Sequence, residues 1–104
     1  MLRITATTTD KVVLKIEGRL VGPWVDELRE TVWRRNGWRQ PLEIDVADLT
    51  YVDEDGEKTL SWLYSMGARF QGKSPFSEFL FERLKIPLHS SLTGFGKGDK
   101  EAQR

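Results

Sequence analysis

The chain contains no cysteine and a single histidine. The first absence removes disulfides, thiolate metal ligands and a cysteine nucleophile together. The second leaves His89 beside Ser90 and Ser91, without the positioned acid and rigid platform a catalytic triad needs. No apolar run approaches the roughly 18 residues of a membrane span. Met1 to Asp10 alternates polar and apolar residues with no apolar signal-peptide core, so neither a membrane nor a secretory role is expected, and a cytoplasmic protein is the default. Charge of one sign is not in excess either. Lysine plus arginine and aspartate plus glutamate number 16 each, so no net field draws in nucleic acid or anionic lipid. Internal repeats are also absent.

What is present fits one α/β domain. The chain has 104 residues, 38% of them apolar and 31% charged, enough to bury a core without staples. Leu2, Ile4 and Ala6 alternate with Arg3, Thr5 and Thr7, the period of a half-buried strand. Thr9-Asp10-Lys11 reads as a turn and Val12 to Ile16 as a second strand ending at Gly18, the two forming an antiparallel hairpin. After Gly22-Pro23, a helix from Trp24 to Arg35 gathers Val21, Val25, Leu28 and Val32 on a narrow arc. Its acids lie early and Arg34-Arg35 late, as the macrodipole favours. Asn36-Gly37 is a stop signal.

Leu42 to Val46 is a further strand, extended in apolar content by Leu49 to Val52. The acidic turn Asp53-Glu54-Asp55-Gly56 follows and opens a helix running to Met66, with Leu60, Leu63, Tyr64 and Gly67 expected on its buried face. Ala68 to Phe70 forms a brief last strand. Ser74 as cap and Pro75 at the first helical position start a third helix, expected to bury Phe76, Phe79, Leu80 and Leu84. Past Pro87 the chain is rich in serine, glycine and lysine, and residues 87–104 read as a flexible tail behind a domain of residues 1–86. The order is ββαβαβα, a mixed four-stranded sheet with its helices mainly on one face.

Strand, helix, strand, then Asp48-Leu49-Thr50-Tyr51-Val52-Asp53-Glu54-Asp55-Gly56 leading into a helix that ends in Gly67-Ala68-Arg69: this string resembles the STAS family. That family comprises the domain of bacterial anti-sigma-factor antagonists, also found at the cytoplasmic end of sulfate transporters. Ile16-Glu17-Gly18-Arg19-Leu20 is similar to the family's Gly-x-Leu step into the first helix, and the likeness spans roughly residues 2 to 86. In the family the turn reads Asp-Ser-Ser/Thr-Gly, and a partner kinase phosphorylates the hydroxyl residue just before the glycine. By this resemblance Asp53 matches the family aspartate, Gly56 the glycine and Asp55 the phosphorylated position. Glu54 precedes that position, and Glu57 stands where an apolar residue is usual. The family's phosphorylation needs a hydroxyl, so switching by that phosphorylation at this site is not expected.

Two roles for Asp55 follow. As a phosphoserine mimic it would supply about one charge where phosphate supplies ~1.5 to 2. As an N-cap it would stabilise the helix by about 1 kcal/mol. An aspartate before a helix is expected on capping grounds alone, which favours the cap.

The resemblance implies a non-enzymatic signalling module in transcription regulation, with a protein partner such as an anti-sigma factor or a related histidine-kinase-like ATPase. The expected contact surface is Asp53, Glu54, Asp55, Gly56, Lys58, Thr59, Trp62 and Met66. Trp62 lies opposite the apolar stripe of its helix, where an exposed tryptophan marks a partner or self-association surface, a homodimer included. The alternative is that the tail or the last helix covers it. Trp33, off the apolar arc and one turn from Arg29, is expected to pack along a sheet edge or under a loop.

Other constellations are weaker. Aligning Gly56 on the glycine of an EF-hand loop puts Tyr51 first and Trp62 last, where acids are required, so the acidic cluster of Asp45, Asp48, Asp53, Glu54, Asp55 and Glu57 reads as a solvated loop. No metal or cofactor is expected. Gly94-Phe95-Gly96-Lys97-Gly98 follows no strand and lacks the Gly-Lys-Ser/Thr ending of a phosphate loop. Asp45 and Asp53 do not make a glycosidase pair. Some STAS domains are thought to bind nucleotides or anions near this helix N-terminus, which keeps small-ligand binding as the second functional reading. The four carboxylates from Asp53 to Glu57 oppose it by repelling phosphate.

Overall fold

Eight elements follow one another along the chain: β1 (Leu2–Thr8), β2 (Val12–Leu20), α1 (Pro23–Asn36), β3 (Leu42–Val52), α2 (Glu54–Ser65), β4 (Arg69–Gln71), α3 (Pro75–Leu84) and β5 (Leu88–His89). The structure is a computed structural model that describes residues 1–8, 10–36 and 41–90. The strands form one mixed sheet in the order β1-β2-β3-β4-β5. The β1–β2 hairpin is antiparallel, and β3, β4 and β5 add in parallel. Helical crossovers between the parallel strands are what this pairing requires.

Registry across the sheet aligns Ala6, Leu14, Ile44 and Phe70 in one row. These side chains belong to the core cluster or pack against it, together with Val25, Leu28 and Val32 of α1, Leu60 and Leu63 of α2, and Leu80 and Phe81 of α3. The neighbouring row, Thr5, Lys15, Asp45 and Gln71, is polar. A sheet with one apolar and one polar face buries its core beneath helices on the apolar side. Among the described residues no helix is long and apolar enough to cross a membrane.

Four features differ from expectation. The sheet has a fifth strand: Phe70 pairs with Leu88 and Gln71 with His89, a contact of two residues, too short to carry a period of its own. Residues 91–104 of the expected tail, including Gly94 to Gly98, lie outside the described residues. On α2 the buried set is Gly56, Thr59, Leu60 and Leu63, an i, i+3, i+4, i+7 stripe rotated away from Tyr64, which is exposed. On α3 the buried aromatic is Phe81, whose ring meets Phe70 at 5.0 Å between centroids and 56° between planes, whereas Phe79 is 67% exposed. Both apolar faces were displaced for one reason: several apolar side chains on a short helix allow two adjacent arcs, and contact with the sheet selects one. Trp33 is 64% exposed, so it does not pack along an edge or under a loop of the described residues.

Candidate functional site

Where β3 ends, Val52 is buried and Asp53 stops the strand by turning its carboxylate onto α2. Asp53 is the N-cap, with extended backbone, and its Oδ1 accepts from the Gly56 N–H at 2.7 Å. Its Oδ2 accepts from the Gly22 N–H at 3.0 Å. One carboxylate therefore binds the start of α2 and the turn before α1 together, and these bonds to its charged form hold its pKa below the ordinary 3.8, the Gly56 bond most of all. The backbone joins in, with the Asp53 N–H donating to the Leu20 carbonyl at 3.2 Å.

The capping role expected of Asp55 thus belongs to Asp53. The reason is geometric: an N-cap side chain reaches the N–H three positions on, and Gly56 is three residues from Asp53. Asp55 sits inside the first turn with its side chain exposed. Gly56 is buried because a side chain has no room there: a Cβ would lie 2.6 Å from Val52 Cγ1 and 2.7 Å from the Leu20 carbonyl oxygen. Glu57 turns away to α3, where it pairs with Arg83.

Beside this turn a groove of about 380 Å³ runs between α1 and α2, walled by Gly22, Val25, Asp26 and Arg29 on one side and by Asp55, Lys58, Thr59 and Trp62 on the other. Arg29 bonds Asp26 at 2.7 Å. Thr59 is only 3% exposed and forms part of the groove wall rather than a projecting contact. Trp62, 42% exposed, stands at the groove with half-exposed Met66 one turn further along α2. On α1 the residue one turn beyond Arg29 is Trp33.

Of the eight residues expected to form a surface, Asp53, Glu54, Asp55, Lys58, Trp62 and Met66 have accessible side chains, and Gly56 and Thr59 are buried. The α1 wall, Gly22, Asp26 and Arg29 with Trp33 beyond it, was missed by sequence reasoning. Its signal was present in the Gly22-Pro23 break and in the Arg29–Trp33 spacing, but nothing local says which helix α2 lies beside.

The remaining acids are dispersed. Asp45 Oδ1 accepts from the Ala47 N–H at 2.9 Å, and Asp48 pairs with Lys15 at 3.2 Å. Among the described residues no group of three or more histidine, aspartate or glutamate side chains is placed to hold a metal ion. His89, on β5, borders a small crevice with Glu43, Arg69, Phe70 and Gln71, away from the acidic turn.

Solved structures share this fold. An anti-sigma factor antagonist from Mycobacterium paratuberculosis matches with a TM-score of 0.75 over 88% of this chain and 88% of its own, at 16% identity. The anti-sigma factor antagonist SpoIIAA in its unphosphorylated form matches with a TM-score of 0.65 over 89% of this chain and 90% of its own, at 17% identity. An uncharacterized protein of the DUF3478 family with a SpoIIAA-like fold, from Shewanella loihica, matches at 0.58, covering 88% and 85%, with 10% identity. No protein-family model matches the chain, and no curated protein matches it in sequence. The likeness is one of fold: a SpoIIAA-like α/β domain.

Proposed function

We propose that this chain is a non-enzymatic, cytoplasmic protein-interaction module of the anti-sigma-factor-antagonist kind. It docks a regulatory partner on the acidic turn and the α1–α2 groove and is not switched by phosphorylation at the turn. The observation that carries this reading is the groove itself. It is partly open to solvent, with Trp62 at its side and Asp26, Arg29, Asp55 and Lys58 along its walls, a mixture of aromatic anchor and polar rim that suits a protein surface. The fold shared with anti-sigma factor antagonists supports the same class of partner, an anti-sigma factor or a related histidine-kinase-like ATPase.

Asp55 stands free of capping duty, so its carboxylate is available to the partner. A carboxylate cannot accept a phosphoryl group from a serine/threonine kinase, which leaves the interaction constitutive or governed elsewhere. Anion binding at the α2 N-terminus finds no support, because Asp53 already occupies the Gly56 N–H and adds negative charge there.

The experiment is recovery of the protein from its own host at native level with mass spectrometry of what accompanies it, followed by calorimetric titration of the recovered partner. Trp62→Ala is expected to weaken binding by about 30-fold, the loss of a hot-spot side chain, and Trp33→Ala by less. Affinity unchanged in Trp62→Ala and in Asp55→Ser would remove this surface from the account. A thermal shift with one nucleotide alone, and no protein partner, would replace the reading with ligand binding.

A further inference from the structure

The two edges of the sheet are built differently. β5 ends one side with only Leu88 and His89, a strand too short to recruit another. β1 ends the other side with seven residues, Leu2 to Thr8, paired to β2 without a register break. It carries no proline and no bulge, and Arg3 is its one charged side chain, so the devices that ordinarily blunt an exposed edge are few. Among the described residues no strand pairs with its outer side.

The phase of the outward groups follows from one bond. The Arg19 N–H donates to the Met1 carbonyl at 2.9 Å. Since antiparallel ladders alternate, Arg3, Thr5 and Thr7 bond inward to β2, and Leu2, Ile4, Ala6 and Thr8 aim their N–H and C=O groups at the open edge.

We infer that β1 is a dimerisation edge, pairing antiparallel with β1 of a second copy of this chain about a two-fold axis at Thr5. In that register Ile4 faces Ala6 of the second copy, Leu2 faces its Thr8, and Arg3 faces its Thr7, with Thr5 opposite its own equivalent. Every outward N–H and C=O from Leu2 to Thr8 gains a partner. Half-buried Ile4 and Ala6 of both copies fall on the apolar side with Leu2 and Thr8, while Arg3, Thr5 and Thr7 fall on the polar side. Cross-strand threonine pairs are favourable, and no like charges stand opposite one another.

The helix beside this edge has matching charge. An open groove along β1 is lined by Ile4, Ala6, Glu27, Thr31, Arg34 and Arg35. Because α1 links parallel strands β2 and β3, it runs in the direction of β1. A two-fold axis reverses that direction in the second copy and brings its Glu27 toward the Arg34–Arg35 end of the first. Glu27 pairs with Arg34 of its own chain only at 3.9 Å, and Arg35 forms no ion pair among the described residues, so Arg35 can meet that acid. A second copy therefore satisfies edge, apolar row and charge together, and this inference stands apart from the partner surface at Trp62.

Sedimentation equilibrium of the full chain up to about 100 μM, a range covering micromolar association, reads the dimer directly. Ala6→Pro removes an outward N–H and leaves the β2 ladder bonds in place, so it is expected to raise the dissociation constant by at least about tenfold with an unchanged circular dichroism spectrum. Because the chain has no cysteine, Thr5→Cys gives a second, independent reading. In a non-hydrogen-bonded pair the Cα atoms lie about 4.5 Å apart, within disulfide range. Thr5→Cys should therefore cross-link rapidly on mild oxidation, and Thr7→Cys, offset from its own equivalent, should not. Trp62→Ala should leave the dimer intact, which separates this test from that of the partner surface. A monomer throughout the concentration range overturns the inference, as does equal cross-linking at positions 5 and 7.

Discussion

Asp53 and Gly22, thirty-one positions apart in the chain, are joined by a 3.0 Å hydrogen bond from the Gly22 amide to the Asp53 carboxylate. With its other oxygen on the Gly56 amide at 2.7 Å, Asp53 sets the start of α2 against the start of α1. The groove between those helices depends on that setting. A residue that sequence resemblance marks as part of a signalling motif is thus also the tie that shapes the motif's surroundings.

Acid titration should reveal this tie. The folded pKa of Asp53 is lowered, so its stabilisation is fully present above the ordinary value near 3.8 and is lost as pH falls through the lower folded value. Asp53→Asn should melt several degrees below the wild type at neutral pH, and that gap should close at the acid end. Differential scanning calorimetry across pH 2–7 (the span of ordinary carboxyl titration) checks it; a gap independent of pH would assign the loss to geometry instead of charge.

Asp55 is expected to behave oppositely. It caps nothing and is exposed in the first turn of α2, so Asp55→Ser should change unfolding free energy by about 0.5 kcal/mol or less. Urea denaturation measures this. A loss as large as that of Asp53→Asn would contradict the capping assignment.

Gly56→Ala tests why the turn carries glycine. The added methyl would sit 2.7 Å from the Leu20 carbonyl oxygen, backbone that cannot yield easily. Destabilisation of about 1–3 kcal/mol is expected from this overpacking, despite alanine's better helix propensity. Equal or greater stability of the variant would show that β2 and α2 can move apart.

The α3 aromatics give a paired test. Phe81→Ala opens a cavity against Phe70 and should cost about 3–5 kcal/mol, whereas Phe79→Ala should stay within about 0.5 kcal/mol. Chemical denaturation of the two variants side by side reads the helix face directly.

Local physical chemistry was legible in the residues. Alternation announced β1 and an apolar run between turn signals announced β2, Ser74-Pro75 started α3 with a capping box between Ser74 and Ser77, and the order of elements through α3 matched the fold. The absence of a hydroxyl from Asp53 to Glu57 was equally plain, since it needs no structure at all. What required tertiary contact was everything that joins distant positions. The rotation of α2 that exposes Tyr64, the choice of Phe81 over Phe79, the two-residue strand β5, the Asp53–Gly22 bond and the α1 wall beside Trp62 each depend on a partner far away in the chain. Periodicity and capping report energies between neighbours a few residues apart. The free energy that decides these other features comes from surfaces that meet only once the sheet has formed.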